Sequence, residues 1–339
     1  MENLPESPFE DTTLTSSPLL CNTSSYPSSS MVIQQIPLHD LASTISRLWR
    51  SEIQFGQSPV PRKRETCHDL APLLWDTFSA VWILLQEVIA VYRKLSPSKL
   101  SMRESTRACN ALALFQVLAI NPETRRKLIE AEIPPYFYPF LKRGGDDKPL
   151  EYLRRTSLGV LGSLARFDEP YGPEVLHFLM ESKVVPYCLE CMDLCDELSA
   201  KVATLIVMKI LMQEEGMTYC CASAERFYSI VQVLYRVVEK LAEKLCLLHL
   251  KYVIQCYLSL SEVSRFVWPC DALRSQVPPQ LFDNTFNDIL HDDLETSWAL
   301  QLLHANIFGY RYFPMNQDSN SIPKPDTTTQ KVKEKGKKK

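Results

Sequence analysis

A helical module that recurs every 46 to 49 residues is the feature that most constrains the fold of this chain. In the first copy, residues 108–120, Leu114, Val117 and Leu118 are spaced as i, i+3 and i+4, on one face of a helix. Four copies align at their central apolar residues, Leu112, Leu158, Leu205 and Ile254. A period of roughly 40–47 residues is typical of armadillo and HEAT repeats, which have two or three helices each.

Helix-ending signals follow the first module. Asn121 and Pro122 are expected to end one helix and open the next, because Asn caps helices and Pro suits a first turn. Pro134 is expected to start a third helix that runs through Tyr138 and Leu141. Such units cannot bury their apolar faces alone, so they stack on one another. The chain is therefore predicted to be all-α, an armadillo-type helical repeat solenoid.

The composition agrees with a helical globular protein. Apolar residues make up 45% of the 339 residues, charged residues 23%, and only 9 are glycine, whereas nucleotide-binding loops and β-rich folds usually need more glycine. We expect no membrane span and no secretory signal, since neither a long apolar run nor a basic start followed by an apolar core is present. The expected location is the cytoplasm or the nucleus, with the 11 cysteines reduced.

Three segments are predicted from the change in composition along the chain. Residues 1–37 are a Ser/Pro-rich segment expected to be disordered, residues 38–315 are the repeat domain, and residues 316–339 are a disordered Lys-rich tail. We interpret the tail as a segment that increases the solubility of the protein, with nuclear import or contact with anions as alternatives. The mildly acidic domain is not typical of a nucleic-acid binder.

The sequence contains candidate metal-binding and acid–base residues, for which ordinary structural roles are the preferred interpretation. Cys188, Cys191 and Cys195, with His177 upstream, have a spacing that zinc ligands can have, but the positions share one helix face and no second ligand pair completes a site. Buried thiols are the preferred interpretation. Three His-Asp neighbours were not expected to face each other: His39-Asp40, His68-Asp69 and His291-Asp292. No nucleophile elbow or phosphate-binding loop is present, so we expect no enzyme activity, no metal and no cofactor.

Two further patterns concern the helix surfaces. The basic clusters 125–127 and 154–155 are interpreted as solvated helix faces, with a basic groove as the alternative. Residues 70–92 are predicted to form one helix that is apolar nearly all round. Phe78, Trp82 and Ile89 share a stripe on it, so that it is either central in the core or covered by a partner.

Several segments resemble those of a known family. They are 69–75 (Asp-Leu-Ala-Pro-Leu-Leu-Trp), 109–114 (Cys-Asn-Ala-Leu-Ala-Leu), 121–125 (Asn-Pro-Glu-Thr-Arg), 138–141 (Tyr-Pro-Phe-Leu), 151–160 (Glu-Tyr-Leu-Arg-Arg-Thr-Ser-Leu-Gly-Val) and 198–207 (Leu-Ser-Ala-Lys-Val-Ala-Thr-Leu-Ile-Val). Between about His68 and Leu303 the chain resembles the required-for-cell-differentiation family, the armadillo-repeat subunit of the CCR–NOT mRNA deadenylase complex. The resemblance implies about six repeats and a non-catalytic role in mRNA deadenylation, decay and translational repression, in the cytoplasm, in P-bodies and in the nucleus.

The resemblance also implies three binding surfaces. The NOT scaffold subunit would dock on Asp76, Phe78, Trp82 and Ile89, where the family usually has Ala in place of Trp82. Val202 would lie in a groove that takes adaptor peptides as short helices. A pocket for a Trp side chain of silencing adaptors would involve Pro186, Ala224 and Arg226, where the family typically has Tyr in place of Ala224.

Other departures from the family mark a divergent member. Relatives tend to have Arg where this chain has Leu248, Gln255 and Ser259, so nucleic-acid binding by the domain is not expected. Pro59 and Pro61 disfavour a continuous helix, so the first repeat is expected to be degraded. Two alternatives to an adaptor stay open: a nucleic-acid-binding regulator that uses the Lys tail, and a paralogue that binds peptides outside the complex.

Overall fold

The structure of the chain is a computed structural model that describes residues 70–77, 79–95, 99–142, 147–262 and 268–309, with side chains from 272 onward in the last range. By its internal contacts the chain divides into Met1–Pro37, which lies outside the described residues, and Leu38–Lys339. The prediction of a degraded first repeat around Pro59 and Pro61, and those on both tails, also lie outside them.

The described residues of the second unit are helical and contain no β-strand. Residues 70–76 are helical, and thirteen α-helices follow within the described ranges. They are α1 (Ala80–Ile89), α2 (Met102–Ile120), α3 (Pro122–Glu130), α4 (Lys148–Leu164), α5 (Gly172–Glu181), α6 (Val184–Leu194), α7 (Glu197–Leu211), α8 (Glu214–Cys221), α9 (Ala224–Glu243), α10 (Leu247–Ser261), α11 (Trp268–Gln276), α12 (Asn287–Leu290) and α13 (Leu294–Phe308). Short 3-10 helices lie at Tyr92–Lys94, Pro134–Phe140 and Pro279–Leu281.

Helix boundaries follow the capping residues. The Asn121 side chain accepts hydrogen bonds from the backbone N–H groups of Glu123 and Thr124, at 3.0 and 3.2 Å, and Pro122 begins α3. The predicted stop and restart at Asn121 and Pro122 is therefore confirmed. The helix predicted from Pro134 is a 3-10 helix instead of an α-helix, because prolines at its start and at Pro139 remove backbone donors.

One helix from each of the successive repeats stacks in a row, in the order α2, α4, α7, α10, α13. Side-chain hydrogen bonds cross the row between Gln116 and Ser163 at 3.1 Å and between Asn306 and Ser261 at 3.0 Å. These pairs are 47 and 45 residues apart, which is close to the period of 46 to 49 residues seen in the sequence. The predicted all-α repeat solenoid is confirmed, and the described residues hold five three-helix units.

The alignment of the four central apolar residues is correct in three copies. Leu112, Leu158 and Ile254 are buried in the core between the helices. Leu205 is half-buried, and its neighbour Ile206 is the fully buried residue of that helix. The third copy is therefore out of register by one position, because α7 turns a different residue of its apolar face toward the core.

The single helix predicted over residues 70–92 is wrong. It is broken around Ser79, which has a φ of 62°, and the segments on either side, Leu70–Asp76 and Ala80–Lys94, meet at 87°. The second begins with α1, which buries Leu84, Leu85 and Val88 against the rest of the domain. Within the described ranges no single helix is long and apolar enough to cross a membrane, although this bent pair taken together reaches that length and composition.

The interpretation of both basic clusters as solvated faces is wrong for two arginines. Arg125 is fully buried, and its guanidinium donates to the carbonyl oxygens of Ala119 and Ile120 at 2.9 Å and pairs with Glu169 at 2.6 Å. Arg125 thereby supplies hydrogen bonds to carbonyl groups at the end of α2 that the helix itself leaves without a donor. Its ion pair with Glu169 links this end of α2 to the next repeat. Arg154 is also buried, at 5% exposure.

Candidate protein-binding surfaces

The apolar side of α1 that faces away from the core forms the first candidate surface. Trp82 is 69% exposed, Ile83 47% and Ile89 38%, and Leu73 on the preceding helical segment is 55% exposed. We call these four residues the α1 surface. Since residues at i, i+1 and i+7 share one side of a helix, the broken helix presents an apolar stripe that the described chain does not cover.

Two of the predicted scaffold-docking residues, Trp82 and Ile89, lie in the α1 surface. Asp76 is exposed beside it, with its carboxylate 3.5 Å from Lys127 Nζ, which also lies 5.9 Å from the centre of the Trp75 ring. The fourth predicted residue, Phe78, lies outside the described residues. Sequence reasoning missed Leu73 and Ile83, because the break at Ser79 and the direction of the buried side decide their exposure.

The second candidate surface is the side of α4 and α7 that carries Val202. Val202 is half-buried, and a Cβ atom added at Gly162 on α4 would lie 3.7 Å from its Cγ1. The missing side chain at Gly162 therefore leaves a shallow space next to Val202. We call this space and the neighbouring half-buried apolar residues, Leu198 and Leu205, the Val202 groove.

Charged side chains flank the Val202 groove. Arg155 pairs with Asp196 at 3.0 Å, and Lys244 pairs with Glu197 at 2.6 Å. Burial raises the pKa of Asp196, but hydrogen bonds from Ser199 and the charge of Arg155 outweigh it and leave that pKa below its ordinary value. The edge of the groove therefore holds paired charges, which suit a polar flank of a bound helix.

The three positions where relatives tend to have Arg are not equivalent. Leu248 is 44% exposed, Gln255 is half-buried and Ser259 is only 8% exposed. A side chain as buried as that of Ser259 does not face a phosphate in solution. The expectation of a less cationic surface therefore concerns Leu248 and Gln255 and not Ser259.

The third candidate surface lies at the first turns of α6 and α9. Pro186, Ala224 and Arg226 are all exposed there. Asp193, near the end of α6, pairs with Arg236 of α9 at 2.8 Å, so that the two helices run alongside each other. We call Pro186, Ala224 and Arg226 the Arg226 surface.

An aromatic ring that sequence reasoning missed belongs to the Arg226 surface. The Arg226 guanidinium carbon lies 4.2 Å from the centre of the Tyr219 ring, and its Nη1 donates to the Tyr219 carbonyl oxygen at 2.5 Å. Tyr219 is half-buried on α8, seven residues before Arg226. The stacked arginine offers a flat, cationic face on which an aromatic ligand can lie.

The described residues contain no group of three or more His, Cys, Asp or Glu side chains that could hold a metal ion. Cys188 and Cys191 are fully buried and Cys195 is half-buried. His177 is exposed and pairs with Glu181 at 3.2 Å and Glu215 at 3.3 Å.

The expectation that adjacent His and Asp side chains do not meet is wrong at the one described pair. His291 Nδ1 lies 2.9 Å from an Asp292 carboxylate oxygen. This contact forms because His291 lies just beyond the end of α12, where the helix no longer separates the two side chains. Both side chains are largely exposed, at 75% and 98%, which places the pair outside any pocket.

Comparison with known proteins gives matches over most of the chain. A family model described as "Cell differentiation family, Rcd1-like" matches residues 53–307. The chain is 44% identical over 248 residues to Cell differentiation protein rcd1 of Schizosaccharomyces pombe, which covers 73% of this chain and 86% of that protein. It is 42% identical over 265 residues to Protein CAF40 of Saccharomyces cerevisiae, covering 75% of this chain and 69% of that protein. Among solved structures, a designed armadillo repeat protein has a TM-score of 0.46 at 13% identity, covering 80% of this chain and 99% of its own.

Proposed function

Because the chain belongs to the Rcd1-like cell differentiation family, we propose that it is a non-catalytic adaptor subunit of a CCR–NOT deadenylase complex. In this role it docks on the NOT scaffold subunit and recruits regulatory proteins, which promotes deadenylation and repression of the bound mRNAs. The observation that carries the proposal is the α1 surface, an exposed apolar stripe on the first described unit.

The size of the exposed Trp82 side chain supports docking at the α1 surface. A Trp side chain buries up to about 250 Å², so covering the exposed part of Trp82 removes roughly 150 Å² from water. At about 25 cal/mol per Å² this amounts to about 4 kcal/mol before the costs of association. Trp82 is therefore the anchor of the contact, a role for which interfaces favour Trp.

Co-purification with the NOT scaffold of the same organism tests the proposal. We expect binding by the native chain and a loss of about 30-fold or more in affinity for Trp82→Ala, which corresponds to the 2 kcal/mol typical of an anchor residue. Trp298→Ala is the matched control, since Trp298 is similarly exposed, at 64%, on α13. An absence of binding that Trp82→Ala restores would show that Trp82 overpacks the contact, and would refute docking in this altered form.

The Val202 groove supports recruitment of short helical peptides. Its apolar floor beside Gly162 fits the apolar stripe of an amphipathic helix, and the paired charges at its edge fit the polar side. Gly162→Leu would fill the space next to Val202. We expect it to abolish binding of a helical adaptor peptide while binding to the scaffold is kept.

The Arg226 surface supports binding of a Trp side chain, but weakly. Ala224 leaves one wall without an aromatic ring, and each stacking partner contributes about 0.5–1.5 kcal/mol. We therefore expect Ala224→Tyr to tighten binding of a Trp-bearing peptide by several-fold to about tenfold, measured by titration calorimetry. Unchanged affinity would contradict the placement of this pocket.

The alternatives predict different outcomes in the same assays. A regulator that acts through its tail binds RNA in a salt-dependent way and loses this binding when residues 324–339 are deleted. A paralogue that acts outside the complex binds adaptor peptides without co-purifying with the scaffold. An adaptor of mRNA decay is expected in the cytoplasm, including P-bodies, and in the nucleus, which imaging of the tagged chain tests.

A further inference from the structure

The side of α13 that faces away from the core is an apolar stripe at the end of the described row of helices. Leu294 is 82% exposed and Trp298 64%, and the half-buried Leu302 and Ala305 continue the stripe. These positions follow one another at i, i+4, i+8 and i+11, so they share one side of the helix. We call these four residues the α13 surface. The buried residues of α13 lie on the opposite side: Thr296, Leu300, Leu303 and Ile307.

The α13 surface is the face on which a further repeat would stack. The last repeat of a solenoid needs a polar outer face to be soluble, whereas this one carries an exposed Trp and an exposed Leu. The exposed part of Trp298 alone leaves roughly 150 Å² of side-chain surface in water. We therefore expect another polypeptide segment to cover the α13 surface.

An apolar segment follows α13 directly in the sequence. Residues 310–315 read Tyr-Arg-Tyr-Phe-Pro-Met and lie outside the described residues. We call them the 310–315 segment. Beyond it the chain turns polar, since Ile322 and Val332 are the only apolar residues between 316 and 339. The change in composition thus comes seven residues after Phe308, the last residue of α13.

The end of α13 and the length of the 310–315 segment allow it to run back along the helix. Gly309 has a φ of 75°, and its N–H donates to the Ala305 carbonyl oxygen at 2.9 Å. A left-handed residue at this place ends a helix and changes the direction of the chain. Trp298 lies 11 residues before Gly309, which is about 17 Å along a helix. Six extended residues span about 20 Å, so the segment is long enough to reach Trp298.

The charges at this end of the domain favour the chain's own C-terminal residues over a second copy. Residues 275–309 contain no Lys or Arg and five acidic residues: Asp283, Asp288, Asp292, Asp293 and Glu295. Asp292 and Glu295 are exposed at the start of α13. The residues that follow carry Arg311 and, from 324 to 339, seven Lys against two acidic residues. Opposite charges draw this basic part of the chain toward the acidic end, whereas two copies that met here would repel each other.

We propose that the 310–315 segment folds back along α13 and covers the α13 surface, with its aromatic side chains packed against Trp298. It thereby takes the place of the polar terminal repeat that a solenoid needs. The contact involves only α13, so it leaves the α1 surface, the Val202 groove and the Arg226 surface free. It also closes the end face to a second copy, so the chain is a monomer.

Hydrogen exchange of the full-length chain and of two truncated chains, read by mass spectrometry, tests the proposal. Removal of residues 310–339 uncovers the α13 surface, and we expect the amides of α13 to exchange at least about tenfold faster. Removal of residues 316–339 is the matched control, because it deletes the Lys-rich tail and keeps the 310–315 segment. It should change the exchange of α13 by less than about threefold. The amides of α4 are the internal reference and should exchange equally in all three chains.

The same truncations in a Trp298→Ala chain test whether the segment contacts Trp298. Removal of residues 310–339 should then accelerate exchange of α13 by less than about threefold relative to removal of 316–339, because the main contact is already absent. The proposal is overturned if the two truncations affect α13 equally in the native background, or if their difference is unchanged by Trp298→Ala. It is also overturned if analytical ultracentrifugation shows a dimer and α13 becomes protected only as the dimer forms, since a second copy would then cover the surface.

Discussion

Acid should destabilise this protein through His249, which is buried between α7 and α10. The His249 Nε2 lies 2.9 Å from Thr204 Oγ1, and the Thr204 hydroxyl donates its proton to the Ala200 carbonyl oxygen at 2.8 Å. Thr204 must therefore accept a hydrogen from Nε2, which fixes His249 as the neutral form with its proton on Nε2. Protonation would place a second proton on Nδ1 in a buried site.

The pKa of His249 is lowered to about 4, first by burial and then by the charge of Lys201. In the unfolded chain it is about 6.5, so the unfolded state binds more protons between these two values. The neutral histidine's stabilising contribution is therefore intact above about pH 6.5 and is lost as the pH falls toward 4. A shift of this size amounts to about 3 kcal/mol, of which about 2 kcal/mol is lost between pH 7 and pH 5.

Urea unfolding at pH 7 and pH 5, followed by circular dichroism, measures this effect. His249→Gln keeps a side-chain N–H donor for Thr204 but does not titrate, so the native chain should lose about 2 kcal/mol more than this variant over the interval. An equal pH dependence for native chain and His249→Gln would refute the reasoning.

Two further predictions concern the joints between repeats. Arg125→Met should cost about 3–5 kcal/mol in urea unfolding, because it leaves backbone carbonyls and Glu169 without their buried partner, whereas the exposed Arg126→Met should cost under about 0.5 kcal/mol. Gly172→Ala should lower the unfolding free energy by about 1–3 kcal/mol, because the added Cβ would lie 1.9 Å from the Phe167 carbonyl oxygen. Gly162→Ala is the control, since its Cβ would make only an ordinary contact at 3.7 Å and should not destabilise the protein. Equal effects of the two substitutions would contradict this prediction.

The repeat architecture could be predicted from the sequence, because its causes are local. The apolar spacing in residues 108–120 and the cap formed by Asn121 and Pro122 act over a few residues each, and both are present in the structure. The period then follows from counting between equivalent helices. The register of α7 could not be derived this way, since only packing against α4 and α10 decides whether Leu205 or Ile206 faces the core.

The features that sequence reasoning missed depend on the packing of helices against one another. The left-handed backbone at Ser79 breaks a stretch whose composition favours a continuous helix. Arg125 and Arg154 have the sequence pattern of surface cations, and only the packing around each shows that they are buried. The Arg226 guanidinium stacks on the Tyr219 ring where α8 ends and α9 begins. The roles of residues that depend on packing between helices are therefore those that a single sequence does not reveal.

A row of helices in which each stacks on the next has consequences for how the protein resists unfolding. In such a chain no single helix packs against all the others. Local unfolding can therefore begin at either end of the row and spread one repeat at a time. The α1 surface belongs to the first described unit, where an apolar side is left bare. A partner bound to the α1 surface would stabilise this unit against local unfolding. It would thereby slow proteolysis of units that it does not contact.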